Sequence, residues 1–91
     1  MLDLELLRTL VCVADEGSFT RAANRVHRTQ STVSQQVRKL EQTVGKTLLL
    51  RDRAGSDVVA TEDGELMLAY ARRLLAMADE AEHVVAAPRA A

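Results

Sequence analysis

A stretch in the middle of the chain, TQSTVSQQVRKLEQTVG (residues 29–45), separates its side chains by chemistry. Taken as a helix at about 100° per residue, it gathers its apolar residues on one side: Val33, Val37, Leu40 and Val44. The opposite side carries hydroxyl, amide and guanidinium groups, and no acid precedes Glu41. Gln can pair with adenine and Arg with guanine through two hydrogen bonds, and Ser can bond to bases or phosphates. This pattern predicts a surface that lies in a groove of duplex DNA.

The residues of this polar side differ in how they would meet DNA. In a helix-turn-helix, the first residues of the second helix reach the base edges, which here are Gln30, Ser31, Ser34 and Gln35. Arg38, one turn further on, is expected at the phosphate backbone or the groove edge. Thr29, the expected N-cap, completes the predicted contact set. A polar face on a helical bundle that binds no DNA would have a similar composition, and this alternative stays open.

No other group of residues has the spacing of a catalytic or metal site. His27 and His83 are far apart in the sequence and have no Cys or carboxylate at ligand spacing, so no metal site is expected. Cys12 is the single cysteine, and its neighbours favour a buried structural thiol over a nucleophile. The chain has no glycine-rich phosphate loop, nucleophile elbow or paired carboxylates in an apolar setting. We therefore expect neither an enzyme nor a bound cofactor.

Charge and composition set further bounds. The net charge is −1, yet residues 21–53 carry eight Arg or Lys against two Asp or Glu, between two acidic flanks. A local basic surface can bind phosphates whatever the total charge, although a solvated charged face would look the same. A lone cysteine favours a reducing compartment, and neither a membrane span of ~20 apolar residues nor an export signal is evident. We expect a cytoplasmic protein that joins the nucleoid when it binds DNA.

Two further helices are expected to precede and support the polar helix. With 47% apolar and only 2% aromatic residues, the core must consist of Leu, Val and Ala. Asp3 and Gly17 mark the ends of the first helix, whose apolar stripe is Leu4, Leu7, Leu10, Val11 and Ala14. Ser18 is expected to cap a second helix over residues 19–28, with Phe19, Ala23 and Val26 as its stripe. The short connection to the third helix is typical of a helix-turn-helix, although a plain αα-hairpin would have the same spacing.

A β-hairpin is expected after Gly45. Residues 48–50 and 58–60 have the pattern of two short strands, and RDRAGSD (residues 51–57) has the composition of a hairpin tip. A hairpin in this position would be a wing, from which Arg51 and Arg53 can enter the minor groove. Asp52 and Asp57 count against that role because they would repel phosphate. A hairpin that only closes the helical core is the alternative.

Residues 61–87 are expected to form one long helix, capped by Thr61. One apolar stripe has a period of about 3.5 residues and consists of Leu66, Tyr70, Leu74, Met77, Ala81 and Val84. A second stripe consists of Leu68, Ala71, Leu75 and Ala78. At ~1.5 Å per residue such a helix is longer than so small a domain. One stripe is therefore expected to pack against a partner chain, although burial of both within one chain is the alternative.

Together these segments resemble the N-terminal winged helix-turn-helix domain of LysR-type bacterial transcriptional regulators. The likeness is carried by GSFTRAA, QSTVSQQVRKLE, LLLR and the T-x-x-G-E-x-L entry to the long helix, and it covers about residues 3–86. It is most pronounced toward the subgroup that includes LrhA and HexA. The resemblance implies a mainly α fold in three parts. These are a winged helix-turn-helix (1–60), a linker or dimerisation helix (61–87) and a tail or truncated linker (88–91).

The resemblance also implies a function. It predicts sequence-specific binding of double-stranded promoter DNA, at an interrupted inverted repeat, by a homodimer joined through the linker helix. Carried over by position, the groove readers are Gln30, Ser31, Ser34 and Gln35, and the wing contacts are Arg51 and Arg53. In the family a ligand-sensing domain follows the linker helix, so the chain is expected to be a fragment or a stand-alone variant, with any small-molecule effector acting through that absent domain. The alternative function is a protein-interaction module whose long helix recruits another chain.

Overall fold

The computed structural model describes residues 1–52 and 57–89, which form four α-helices and a two-stranded antiparallel hairpin. The elements follow the order α1 (Leu4–Glu16), α2 (Phe19–Arg25), α3 (Gln30–Val44), β1 (Leu49–Arg51), β2 (Val58–Ala60) and α4 (Glu62–Ala86). Three helices, a small hairpin and a long final helix are the mainly α, winged arrangement that the sequence predicts.

The predicted caps define where each helix begins. Four side chains accept a hydrogen bond from a backbone N–H two or three residues ahead, those of Asp3, Ser18, Thr29 and Thr61. These bonds satisfy N–H groups that have no partner within the helix. At their C-terminal ends, α1 and α3 stop at Gly17 and Gly45, whose φ angles of 68° and 72° lie in the left-handed region that favours glycine. The ends of these helices are thus encoded locally.

The predicted second helix, over residues 19–28, is too long. The helix ends at Arg25, and the side chain of Val26 is 39% exposed rather than part of a buried stripe. His27 has a φ of 56°, in the left-handed region that residues other than glycine seldom adopt. The chain reverses at this residue, and so the turn that leads into α3 forms without a glycine.

Helix α1 lies at the centre of the core, in contact with all three other helices. Its buried residues are Leu6, Leu7, Leu10 and Val13, so the buried face is rotated from the predicted stripe. Leu4, predicted to lie in that stripe, is 42% exposed, and Val11 and Ala14 are half-buried at its edge. The rotation follows from packing α1 between α3 on one side and α4 on the other, which requires apolar residues on adjoining faces.

The hairpin packs its first strand against the helical core. Leu49 lies opposite Ala60 and Arg51 opposite Val58, so the first strand begins and ends one residue later than predicted. The reason is at Leu48, whose backbone N–H donates to the carboxylate of Glu41 at 2.7 Å instead of joining the ladder. The predicted wing contact Arg53, with residues 54–56 of the hairpin tip, lies outside the described residues.

Helix α4 packs one side on α1 and then extends beyond the domain. Its buried residues are Gly64, Leu68, Ala71 and Leu75, and every described residue after Ala78 is exposed. Ion pairs hold the two helices together at two levels, Arg72 to Asp15 at 2.6 Å and Arg8 to Asp79 at 3.2 Å. The described chain measures 60 × 27 × 18 Å because of this overhang.

Candidate nucleic-acid interface

The polar side of α3 is open to solvent. Ser31, Gln35 and Arg38 are exposed, and none of their side chains makes a hydrogen bond or an ion pair with another described residue. On the opposite side of the same helix, Val33 and Val37 are 1% and 3% exposed. The buried side fixes the rotation of α3, and the polar side is therefore presented outward, with the hydrogen-bonding groups of these three side chains unoccupied by described residues.

The first residues of α3 contact the preceding helix and each other. The hydroxyl of Thr29 accepts a hydrogen bond from the backbone N–H of Thr32 at 3.1 Å and donates to the Thr32 hydroxyl at 2.8 Å. The side-chain oxygen of Gln30 accepts from the hydroxyl of Thr20 on α2 at 3.3 Å. These contacts orient the start of α3, while both Thr29 and Gln30 stay exposed.

Arg51 reaches from the hairpin back to α3. Its Nη2 donates to the Oγ of Ser34 at 2.6 Å, and its guanidinium carbon lies 3.8 Å from the centre of the Phe19 ring. The sequence predicts Ser34 and Arg51 as separate contacts, one on the recognition helix and one on the wing. The structure brings the two side chains together at the junction of α2, α3 and β1.

Glu41 has a role that was not predicted from the sequence. One of its carboxylate oxygens accepts hydrogen bonds from the backbone N–H groups of Leu48 and Leu49, at 2.7 and 3.3 Å. Glu41 is the single acid in the sequence of α3, and its engagement with β1 keeps its charge away from the outward face. A sequence signal for this role does exist, since Glu41 lies seven residues, or two turns, after Ser34 and so on the same side of α3.

The basic excess of residues 21–53 is partly neutralised inside the chain. Arg25 pairs with Glu16 at 3.0 Å and Arg28 with Glu5 at 3.8 Å, and both acids belong to α1. Arg21 donates to the carbonyl oxygen of Glu16 at 2.6 Å. Among the described residues of this segment, three cationic side chains have no ion pair, hydrogen bond or ring contact with another described residue: Arg38, Lys39 and Lys46. The available positive charge is therefore concentrated on α3 and just after it.

A second exposed surface runs along α4. Its members are the six residues of the predicted dimerisation stripe, Leu66, Tyr70, Leu74, Met77, Ala81 and Val84, and all six are exposed. Leu66, Met77 and Val84 are each at least 60% exposed. Beside the first half of this stripe lies an apolar groove of about 290 Å³, whose other walls include Leu2, Val44 and Leu48. The other predicted stripe supplies the contacts of α4 with the core.

Cys12 and the histidines form no reactive cluster. The Cys12 thiol is half-buried, its Sγ lies 3.9 Å from the carbonyl oxygen of Ala22, and burial raises the pKa of the thiol above its ordinary value. A raised pKa keeps the thiol protonated and unreactive at neutral pH. In residues 1–52 and 57–89, no group of three His, Cys, Asp or Glu is placed to hold a metal ion. No helix in the described ranges combines the length and the apolar character that crossing a membrane requires.

Residues 4–65 match the family of bacterial regulatory helix-turn-helix proteins of the lysR type. The transcriptional regulator PecT of Dickeya dadantii is 52% identical over 80 residues, which are 88% of this chain and 25% of PecT. DgdR of Burkholderia cepacia is 45% identical over 88% of this chain and 26% of its own length. The chain thus spans about a quarter of the length of these curated relatives.

Solved structures resemble the whole described fold. The DNA-binding domain of BenM, crystallised with benA site 1 DNA, superposes with a TM-score of 0.84 at 33% identity and covers 92% of each chain. The CbnR DNA-binding domain in complex with DNA gives a TM-score of 0.86 at 28% identity, over 92% of this chain and 94% of that one. A full-length OxyR variant from Pseudomonas aeruginosa gives 0.88 at 34% identity, over 99% of this chain and 30% of that one. None of these matches singles out the LrhA and HexA subgroup, which stays a prediction.

Proposed function

Because the chain belongs to the LysR family of bacterial regulatory helix-turn-helix proteins, we propose that it binds promoter DNA sequence-specifically, as a homodimer, to regulate transcription. The observation that carries this proposal is the outward face of α3, where the side chains of Ser31, Gln35 and Arg38 are exposed and have no partner among the described residues. Two structural relatives, the domains of BenM and CbnR, were crystallised with DNA. Proteins that match this chain are regulators rather than enzymes, which supports a role in binding and not in catalysis.

The polar side chains of α3 and the hairpin are expected to contact different parts of the DNA. Gln30, Ser31, Ser34 and Gln35 occupy the first turns of α3, from which a recognition helix reaches base edges in the major groove. Arg38, one turn later on the same side, would meet the phosphate backbone, where a guanidinium contributes affinity without base discrimination. Thr29 would lie against the backbone beside the helix start. Arg53 is proposed as a wing contact, and Arg51 as a contact at the root of the wing.

Dimerisation through α4 accounts for the second surface. The exposed stripe from Leu66 to Val84 and the groove beside Tyr70 together form an apolar surface continuous along the helix. A two-fold dimer places two recognition helices on one duplex, which matches a binding site made of an interrupted inverted repeat. In longer family members a small-molecule effector would act through a separate domain. The site of action would be the cytoplasm, at the nucleoid.

Paired substitutions on α3 test the proposal. DNA selected from a random pool by the wild-type chain supplies the specific duplex, and a scrambled duplex of equal length supplies the control. Gln35→Ala should reduce discrimination between the two duplexes about tenfold or more, since a bidentate base contact contributes ~1–3 kcal/mol. Arg38→Ala should weaken binding to both duplexes alike. It should also reduce the slope of the logarithm of the binding constant against the logarithm of the salt concentration by about one, the contribution of one phosphate contact.

The outcomes separate the proposal from its rival. Equal losses on both duplexes for Gln35→Ala would refute base reading by that residue. A wild-type chain that shows no selectivity near physiological salt would favour the protein-interaction module, in which the exposed stripe of α4 recruits a different chain and the basic face is incidental.

A further inference from the structure

Arg51 does not extend along the wing, as an arginine that enters the minor groove from a hairpin would. Its side chain turns back to α3, where Nη2 donates to Ser34 Oγ at 2.6 Å. Both side chains lie at the rim of the outward face, with Ser34 half-buried and Arg51 exposed. The contact joins residues 17 positions apart in the chain. It means that the hydrogen bonding of Ser34, one of the predicted base-contacting residues, depends on Arg51.

The hydrogen bond from Arg51 leaves the hydroxyl proton of Ser34 free to be donated. A guanidinium can only donate, so in this contact the serine oxygen must be the acceptor. A serine hydroxyl has one proton to donate as well as its acceptor lone pairs. That proton has no acceptor among the described residues. The Ser34 hydroxyl is thus left as a donor toward the outward face.

Three contacts hold Arg51 in place for this task. Its guanidinium carbon lies 3.8 Å from the centre of the Phe19 ring, and Phe19 is only 3% exposed, so the stacking partner is itself immobile. The backbone of Arg51 pairs with Val58 across the hairpin. The start of the same strand is bound by the carboxylate of Glu41. A stacked guanidinium on an anchored strand loses little further freedom when it holds a neighbouring hydroxyl.

We propose that Arg51 is a positioning residue that commits Ser34 to donate its hydroxyl proton to an acceptor on the DNA. This inference rests on the proposed function. In the major groove the acceptors are O6 and N7 of guanine, N7 of adenine and O4 of thymine, whereas the exocyclic amine of cytosine is a donor. A phosphate oxygen is an acceptor of the same kind. Because Arg51 already occupies one lone pair of Ser34 and leaves the proton free, Ser34 favours these acceptors over a cytosine amine at its contact position.

A double-mutant cycle tests the coupling. Dissociation constants are measured for the wild type, Ser34→Ala, Arg51→Met and the double variant, on the selected duplex and on the scrambled duplex. We expect Ser34→Ala to weaken binding roughly fivefold to tenfold, as for one lost hydrogen bond. Arg51→Met should cost several-fold more in the wild type than in the Ser34→Ala background, where only its charge is lost. Ser34→Thr keeps a hydroxyl and should keep most of the affinity.

Each outcome has a defined meaning. Coupling on the selected duplex alone identifies a base edge as the acceptor, and equal coupling on both duplexes identifies a phosphate oxygen. An equal cost of Arg51→Met in both backgrounds overturns the inference, because Arg51 would then act on DNA binding or on the fold independently of Ser34. Denaturation curves show whether a variant has lost its fold. If weak binding by Ser34→Ala came from a lost fold rather than a lost hydroxyl, Ser34→Thr would not restore it. If the wild type binds the two duplexes equally, the proposed function itself is rejected. That comparison uses the wild type alone and is therefore separate from the test of Arg51 and Ser34.

Discussion

At the scale of single residues, Gly64 shows how a backbone contact selects one amino acid. A Cβ atom placed on Gly64 would lie 1.9 Å from the carbonyl oxygen of Leu48, a backbone atom that cannot rotate away. The same carbonyl accepts the backbone N–H of Thr61 at 2.9 Å, and the Thr61 hydroxyl donates to the carbonyl of Thr47 at 2.6 Å. The first turn of α4 thus lies directly against the start of the hairpin, which explains the spacing of Thr61 and Gly64 in the sequence.

We predict that Gly64→Ala lowers the free energy of unfolding by about 3 kcal/mol or more, since α4 must move away from the hairpin. Gly45→Ala is the matched control, because a Cβ there meets nothing within 4 Å and only the left-handed φ of 72° opposes it. That strain should cost about 1 kcal/mol. Urea denaturation of both variants measures the difference, and equal midpoints would contradict the steric explanation.

At the scale of elements, the hairpin is attached to α3 by side chains at both ends of β1. Glu41 binds the backbone N–H groups of Leu48 and Leu49 at the start of the strand, and Ser34 binds Arg51 at its end. Because Glu41 and Ser34 lie two turns apart on the same side of α3, the strand runs along the helix toward its N-terminus. Helix α3 therefore determines the position of the hairpin.

We predict that Glu41→Ala destabilises the chain by about 2–3 kcal/mol, because two backbone N–H groups lose a charged acceptor. Glu41→Gln keeps an oxygen acceptor and should cost clearly less. Glu80→Ala, an exposed acid on α4, should change the stability by no more than about 0.5 kcal/mol. Thermal or urea unfolding measures all three variants. A Glu41→Ala protein as stable as the Glu80→Ala control would rule out this anchoring role.

The α1–α4 contact has a pH-dependent part. The hydrogen bond from Arg72 is the main cause that lowers the pKa of Asp15 below its ordinary value of 3.8. A carboxylate with a lowered pKa stabilises the fold at neutral pH, and this contribution is lost as the pH falls through the lowered pKa. Both side chains are about half exposed, so the contribution should stay below about 1 kcal/mol.

We predict that wild type is more stable than Asp15→Asn at neutral pH and that this difference shrinks in acid. Unfolding free energies of the two proteins, measured at a series of pH values, give the comparison. A difference that stays constant below the ordinary pKa of aspartate would mean that the Asp15 charge contributes nothing to the packing of α4.

At the scale of the whole molecule, α4 has two apolar sides, one buried against the core and one exposed. Leu68, Ala71 and Leu75 bury one side against the core, while the stripe from Leu66 to Val84 is exposed along the length of the helix. Beyond Ala78 the helix has no buried described residue, so its second half gains no packing energy within this chain. Apolar surface of this extent on a helix that leaves its domain is typical of a subunit interface.

We predict that Met77→Glu converts the proposed dimer into a monomer, because it places a charge in the middle of the proposed interface. Ala76→Glu is the matched control, one residue away on the outward side of α4 and also exposed. Sedimentation equilibrium should give a monomer for Met77→Glu at concentrations where wild type and Ala76→Glu are dimers. Affinity for an inverted repeat should fall at least about tenfold, while affinity for a half-site stays unchanged. Dimers of both variants would exclude this stripe as the interface.

The sequence by itself determined the features that depend on neighbouring residues. The caps at Asp3, Ser18, Thr29 and Thr61 and the glycine ends of α1 and α3 involve groups no more than four residues apart, and all were confirmed. The outward face of α3 also follows from local periodicity, because the buried Val33, Val37 and Leu40 fix the rotation of the helix. Most of the fold and the outward polar face of α3 were therefore predictable.

Only the tertiary structure decided the features that join distant parts of the chain. The rotation of α1 depends on which helices cover it, and the early end of α2 depends on His27 adopting a left-handed conformation that no local pattern requires. Arg51 meets Ser34 and Phe19 across 17 and 32 positions of the sequence. Such contacts depend on how elements pack, and packing is set by the summed burial of many side chains rather than by the residues that meet.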